Sequence, residues 1–451
     1  MREGISVENC SKMRSNMSKK QRIKGFVKAC LLAMLFAGCG ENTKGEALLT
    51  PTITGMEANT DKTGTVIPTV VPEEDVGEAL QAPMLTELVK RKQLPALEKR
   101  LPIAEDIMIE NAESIGTYGG IVQFALMQAG EETGQLIEEG LFRFASDGTI
   151  EPNVAKGYTV NEDFTEYTIY LRKGMRWSDG VLFQAEDCVF FYESMCVKKT
   201  FGEELWSCFL TTNPQTGKTS RAVFKEIDEY TFQVIFDYPS PDFLENLTKQ
   251  GSWCFAPKHY HVNVLPEFMG EQAALSKAKA MGYADIDEMC EQTGRYFWNV
   301  PSVPTLNAYV LSNAEGKKDV IGNYYEFVRN PYYWKTDAEG KQLPYMDTLA
   351  YTRISDLSQR LLLTVNGSLT ISEVDVAERE TVEKSAEIAG YKVVQWPVVS
   401  LIEQGVEKTD EVKLYAVDVN LRNFPTNAVY CTDFNGWNMA RCYLWYLSDV
   451  D

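Results

Sequence analysis

The sequence predicts a mixed α/β body that follows an export leader and a tether. Three observations lead there. The chain holds 8 Trp, 22 Tyr and 21 Phe, yet residues 37–117 contain no aromatic side chain, so core-forming capacity begins at Tyr118. From there on, strand-like and helix-like patterns succeed one another without a strict βαβ period and without a short internal repeat. Finally, 44% apolar and 24% charged residues in 451 are the proportions of a globular protein with room for a sizeable core.

Charge narrows the function classes. With 64 acidic against 44 basic side chains the net charge is −20, which repels phosphate backbones and argues against a nucleic-acid partner. Only His259 and His261 are available as histidine ligands or acid–base groups, and two histidines make a weak metal site, so no metal or cofactor is expected. GxSxG, HExxH and Walker-type loops are absent from the sequence. Glu131-Glu132 and Glu138-Glu139 are adjacent pairs, which do not face each other on a helix, and they read as a solvated face. The chain is therefore expected not to be an enzyme.

The leader comes first. Lys19, Lys20, Arg22, Lys24 and Lys28 precede the apolar run Ala29–Ala37 and then Gly38-Cys39, the layout of a secretory signal. That run is about half of the ~20 apolar residues a spanning helix requires. Leu35-Phe36-Ala37-Gly38-Cys39 also resembles the bacterial lipobox, with Phe36 where an aliphatic residue is usual. Residues 1–38 are thus expected to be a lipoprotein signal peptide, with Cys39 as the lipidated residue. Residues 39–80, rich in Thr with scattered Gly and Pro, read as a disordered tether. The protein is expected to be exported and held by lipid on the extracytoplasmic face of the cell membrane. Seven cysteines then remain (Cys188, Cys196, Cys208, Cys254, Cys290, Cys431 and Cys442), an odd number without a CxxC pair, best read as buried small hydrophobes.

In the body, Pro83 opens a helix over Pro83–Lys90, and Pro95 and Pro102 interrupt the chain beyond it. Tyr118-Gly119-Gly120 makes a tight entry to a buried strand, Ile121–Leu126, and a helix is expected around Gly134–Gly140. Tyr167–Arg172 alternates as a strand, Lys173-Gly174 and Trp177–Gly180 are turns, and Ala185–Met195 is an amphipathic helix. Trp177, large and flanked by turn residues, is expected to seal a core, and Asp187 to favour the dipole of the helix start. Gln184 is a poor cap, so fraying is expected there. Strand Tyr230–Phe236 and a helix after Pro241 repeat the logic. A crossover strand, Thr348–Ile354, leads to a helix capped by Ser355-Asp356 and ending before Asn366-Gly367.

Several of these segments, taken in order, resemble family 5, the peptide/nickel class of extracellular solute-binding proteins that serve ABC importers. They are Pro83–Lys90 with Leu101-Pro102, Tyr118-Gly119-Gly120, Glu139-Gly140-Leu141, Leu171–Gly180 with Ala185-Glu186-Asp187, Ala256–Tyr260, Pro304-Thr305-Leu306, Asn330–Lys335 and Pro344–Asp347. The resemblance runs from about residue 80 to about 424. It implies a two-lobed venus-flytrap fold, with residues 81–352 as the first lobe and 353–451 as a partial second lobe. It also implies a monomer that captures a peptide and delivers it to permease and ATPase subunits. In that fold the loop Met127–Glu132 faces the cleft, which makes Gln128 and Glu131 candidate ligand-binding residues, for a peptide amine or for sugar hydroxyls.

The chain also departs from the family pattern. Gly367-Ser368-Leu369-Thr370 stands where an acidic Gly-Glu-x-Asp turn is usual. Val417–Leu421 resembles a second-lobe strand, Phe434-Asn435 and Arg441 echo the start of a helix, and a truncated second lobe is expected. An oligosaccharide ligand, a non-functional remnant and a secreted carbohydrate-active enzyme are the alternative readings.

Overall fold

The computed structural model describes residues 80–398, other than 111–114, 128–137, 146–148, 199, 201–204, 250–253, 313–323 and 375, together with strand segments 411–418, 428–429, 433–434, 438–439 and 442–443. Every described residue belongs to one compact unit, Pro72–Asp451. The expected signal peptide 1–38, Cys39 and the tether up to residue 79 lie outside the described residues.

Two four-stranded sheets carry the body. In one, strands Ala155–Val160, Glu166–Leu171, Thr231–Ile235 and Val223–Asp228 lie side by side, all antiparallel. The alternation read in the sequence sets its faces: Tyr167, Ile169 and Leu171 point into the core with Phe232 and Val234. Against this face packs helix Ala185–Phe190, which continues as a π-helical turn, Phe191–Val197. The resulting core is aromatic, with Tyr192 stacked on Phe224 at 4.1 Å.

The other, central sheet has the order Tyr309–Leu311, Tyr324–Arg329, Thr348–Arg353, Ile121–Leu126. Its first two pairings are antiparallel and the last is parallel. Gly119 and Gly120 enter it at φ of 125° and 90°, values open to glycine, and this lets Asp347 N donate to Gly120 O. The N-terminal helix Pro83–Lys90 and the turns after it are gathered by Arg100. That buried guanidinium donates to Pro95 O and Gln342 Oε1, both at 3.0 Å, and to Pro331 O and Gln81 Oε1.

A third, smaller sheet orders Ile371–Val374, Glu411–Asp418 and Tyr391–Val398, all antiparallel. Helices Leu357–Val365 and Arg379–Ala389 accompany it, and Val382 and Tyr391 form its core. As expected, Asp356 caps the first of these helices: its Oδ1 accepts from Gln359 N at 3.1 Å.

Trp177 seals the core as expected, with 2% of its surface exposed. Its indole Nε1 donates to Asp187 Oδ2 at 3.0 Å, and that carboxylate also accepts from Gln184 N and Lys258 N. Two expectations change here. Asp187 is buried and acts by direct hydrogen bonds, not merely through the helix dipole. The expected fraying at Gln184 is opposed from outside the helix, because Ala185 N also donates to Glu229 O at 2.8 Å.

Three further expectations are corrected. Residues 138–140 are irregular where a helix end was expected, because Glu139 N donates to the side chain of Asn307 instead of a helical carbonyl. Glu139 is 6% exposed and belongs to a buried network, not to a solvated face. Asp433–Phe434 is a short strand paired with Asn438–Met439, not the start of a helix. Arg441 lies outside the described residues.

The histidines have packing roles. His259 Nε2 lies 2.7 Å from Asp179 Oδ2, and the ring of His261 stacks on Phe190 at 5.8 Å. Burial, with the charge of His259 second, pushes His261 down to about 3. An unfolded histidine takes up its proton near ~6.5, so the stability contributed by neutral His261 is full above that pH and is lost as pH falls toward 3. The slope from one such group is at most ~1.4 kcal/mol per pH unit. Asp187 runs the other way: burial raises it to about 6, so its contribution is full below ~4 and is lost as pH rises through 6. In His261→Gln the histidine slope is gone, and the melting-temperature gap to the parent protein should narrow steadily from pH 7 to pH 5. A gap independent of pH would show that His261 does not stay neutral in the fold.

Candidate functional site

The central sheet brings its strand ends to one rim. Leu126 and Arg353 are in register at the ends of the parallel pair, Tyr324 opens the strand whose first pairing is with Thr352, and Leu311 sits opposite Phe327. The chain leaves this rim after Met127, Ser312 and Ile354. In open α/β sheets the ends of parallel strands, where the connections diverge, are where ligands are held.

Behind the rim lies an aromatic platform built from cross-strand partners. Phe124 stacks on Tyr351 at 5.0 Å, and Tyr351 on Tyr325 at 5.1 Å, with interplanar angles of 16° and 7°. Trp298 closes the same cluster. Phe124 is half-buried and Tyr351 fully buried, so the platform stiffens the rim more than it presents rings to solvent. At the rim itself Met127 and Tyr324 are 45% and 52% exposed. Tyr324 donates to Glu326 Oε1 at 2.6 Å, which together with slight burial raises its hydroxyl above the ordinary value.

A second segment meets Ile121–Leu126 from both sides; this is the edge strand of the sheet and not the buried strand expected, since Ile121 and Gln123 are exposed and only Val122 is fully buried. Ile354 N donates to Leu126 O at 2.9 Å on the edge shared with Thr348–Arg353. On the opposite edge Gln123 N donates to Thr370 Oγ1 and Thr370 N to Gln123 O, both at 2.9 Å. Alternation along the strand turns the amide and carbonyl of Ala125 to that same edge, next to the rim.

Below, the fold is braced by buried charge. Lys335, with no exposed surface, lies 2.7 Å from Glu110 and 3.3 Å from Glu139, and Arg143 lies 2.6 Å from Glu110. Tyr333 and Asn153 each donate to Glu139 at 2.8 Å. Burial opposes ionisation of Glu110, but Lys335 and Arg143 together hold its carboxyl down at about 2. The charged members of the group pair with one another. Among the described residues no cluster of three or more His, Cys, Asp or Glu is arranged to hold a metal ion.

Of the residues expected to touch ligand, Gln128 and Glu131 lie outside the described residues, while Met127, just before them, stands on the rim. Tyr324, Phe124 and Tyr351 were not anticipated from sequence. Their only signal was aromatic content within strand patterns, which serves a core equally well.

The description of the bacterial extracellular solute-binding proteins, family 5 Middle, matches residues 149–425, more than half of the chain. The chain belongs to this family of solute-binding proteins. It is similar to the periplasmic alpha-galactoside-binding protein of Rhizobium meliloti (strain 1021), 26% identical over 331 residues, covering 66% of this chain and 43% of that protein. It is also similar to the periplasmic oligopeptide-binding protein OppA of Haemophilus influenzae, 26% identical over 203 residues, covering 44% and 31%.

Among solved structures, an oligopeptide-binding protein OppA matches with a TM-score of 0.61 at 24% identity, over 71% of this chain and 49% of that one. MelB of Agrobacterium fabrum C58, solved with stachyose, matches with a TM-score of 0.54 at 22% identity, over 71% and 48%. These likenesses establish the two-lobed binding-protein fold. The chain spans less than half the length of these relatives. No helix among the described residues is long and apolar enough to cross a membrane.

Proposed function

We propose that this solute-binding protein is the capture component of an ABC importer and takes short peptides between its lobes for delivery to permease and ATPase subunits. In this reading residues 81–352 form the first lobe and 353–451 belong to the second. Residues 1–38 direct export, Cys39 carries the lipid, and 39–80 hold a monomeric binding body away from the membrane surface. Binding is reversible and involves no catalysis.

The observation that carries the peptide reading is the strand edge at Gln123 and Ala125. It already accepts one backbone partner at Thr370, and an extended ligand would continue it toward the rim. Gln128 and Glu131, a few residues beyond that edge in sequence, would then meet the peptide's polar ends. A second reading, oligosaccharide capture, is favoured by the match to an alpha-galactoside-binding protein over 66% of this chain.

Calorimetric titration separates the two. Tri- to pentapeptides should bind saturably and be recovered unchanged, with stachyose silent. Saturable binding of stachyose alone would shift the assignment to the sugar reading. Cleavage of either probe would make the protein an enzyme.

A further inference from the structure

We infer that the body holds an ordered water inside it, between the helix Ile286–Gly294 and the segment 304–307, bound by Asn307 Nδ2 and Thr293 Oγ1. The inference stands whichever solute the protein captures, because the site is away from the rim of the central sheet.

Asn307 carries the argument. The residue is 2% exposed, and hydrogen bonds fix its backbone on both sides: Asn307 N donates to Thr305 Oγ1 at 3.1 Å, and Asn330 Nδ2 donates to Asn307 O at 2.8 Å. Its side-chain Oδ1 accepts from Glu139 N at 3.1 Å. That bond decides which way round the amide sits, since a flipped amide would set its NH2 group against the Glu139 N–H. Nδ2 is therefore turned away from Glu139, and among the described residues it meets no hydrogen-bond partner. A buried amide donor without an acceptor is costly, and in folded proteins such donors are matched by protein or by ordered water.

There is room for that water. Asn307 lines a cavity of about 20 Å³, with apolar walls from Trp177, Phe255 and Leu306 and polar ones from Thr293 and His261. One water needs ~10–15 Å³, so the space suits a single molecule and excludes a larger solute. Thr293 is fully buried, and its hydroxyl proton is committed to Met289 O at 2.8 Å, which leaves the oxygen lone pairs to accept. A water placed here accepts from Asn307 Nδ2 and donates to Thr293 Oγ1, the minimum of two partners that a buried water requires. It would tie the last turn of the helix to Asn307 and, through Asn307 Oδ1, to the backbone of Glu139.

Crystals of the full chain at high resolution, with and without xenon pressure, test this, since an apolar cavity stays dry and takes up xenon whereas a polar one keeps its water. One peak should stand at hydrogen-bond distance, ~2.7–3.2 Å, from both Asn307 Nδ2 and Thr293 Oγ1, and xenon should not displace it. Thr293→Val removes the acceptor at nearly constant shape. The peak should be lost from that variant, while Asn307 keeps its bond to Glu139 N. In solution, oxygen-17 relaxation dispersion should lose about one long-lived water per molecule between the parent and the Val variant.

A cavity without a peak in the parent crystal would overturn the inference, and so would xenon in its place. A peak that persists at the same position in Thr293→Val, or dispersion that the substitution leaves unchanged, would overturn the bridge to the helix. The parent crystal decides the presence of the water even if the variant folds poorly.

Discussion

Replacing Lys335 with Met is expected to cost ~3–5 kcal/mol, because it takes the cation away from the buried carboxylate of Glu139. Lys335 has no exposed surface and lies within 3.3 Å of both Glu110 and Glu139. Glu110 retains Arg143, whereas Glu139 keeps the neutral donors Tyr333 and Asn153. Most of the loss should therefore come from Glu139. The double variant Lys335→Met, Glu139→Gln should recover a large part of it, since a neutral amide no longer needs a cation. Denaturant unfolding at pH 7 measures both. A single variant within ~1 kcal/mol of the parent would mean that water reaches the network, contrary to its burial.

Removing the indole of Trp177 should be as severe. Trp177→Ala takes away one of the two buried tryptophans of the core and the donor to Asp187, at ~3–5 kcal/mol by truncation alone. Trp177→Phe separates the two contributions. It keeps much of the ring packing against Phe183 and Phe255, at 5.5 and 6.0 Å, but leaves a buried carboxylate short of one donor. Its expected cost is ~1–3 kcal/mol. A Phe variant as destabilised as the Ala variant would assign the whole role to the hydrogen bond.

Much of the fold could be read from local pattern. Tyr167, Ile169 and Leu171 alternate because one face of their sheet is buried, and Asp356 stands before a helical run because the helix start needs an acceptor. Lys335, Glu110 and Glu139 gave no such sign. Each is charged, and the pairing that makes burial tolerable spans 225 residues between Glu110 and Lys335. No window of sequence carries that information. The wider turn at Phe191–Val197 was likewise invisible, since its apolar spacing is that of an ordinary helix.

The candidate site was legible to a lesser degree. The order of motifs identified the strand end at Leu126 and the loop after it, but the residues chosen there, Gln128 and Glu131, lie outside the described residues. Thr370 was visible only as a departure from an acidic turn. Its partner Gln123 is 247 residues away, and only the folded chain joins them.

The measurement that tests the central claim most directly is thermal unfolding of the protein with and without a pool of short peptides, with stachyose as the comparison. A ligand that binds only the folded state at ~100 times its dissociation constant stabilises it by ~2.7 kcal/mol, a readily visible shift. Peptide capture predicts one cooperative transition that rises with the peptide pool and not with stachyose. A cooperative transition that neither probe moves would contradict capture of these solutes by this chain.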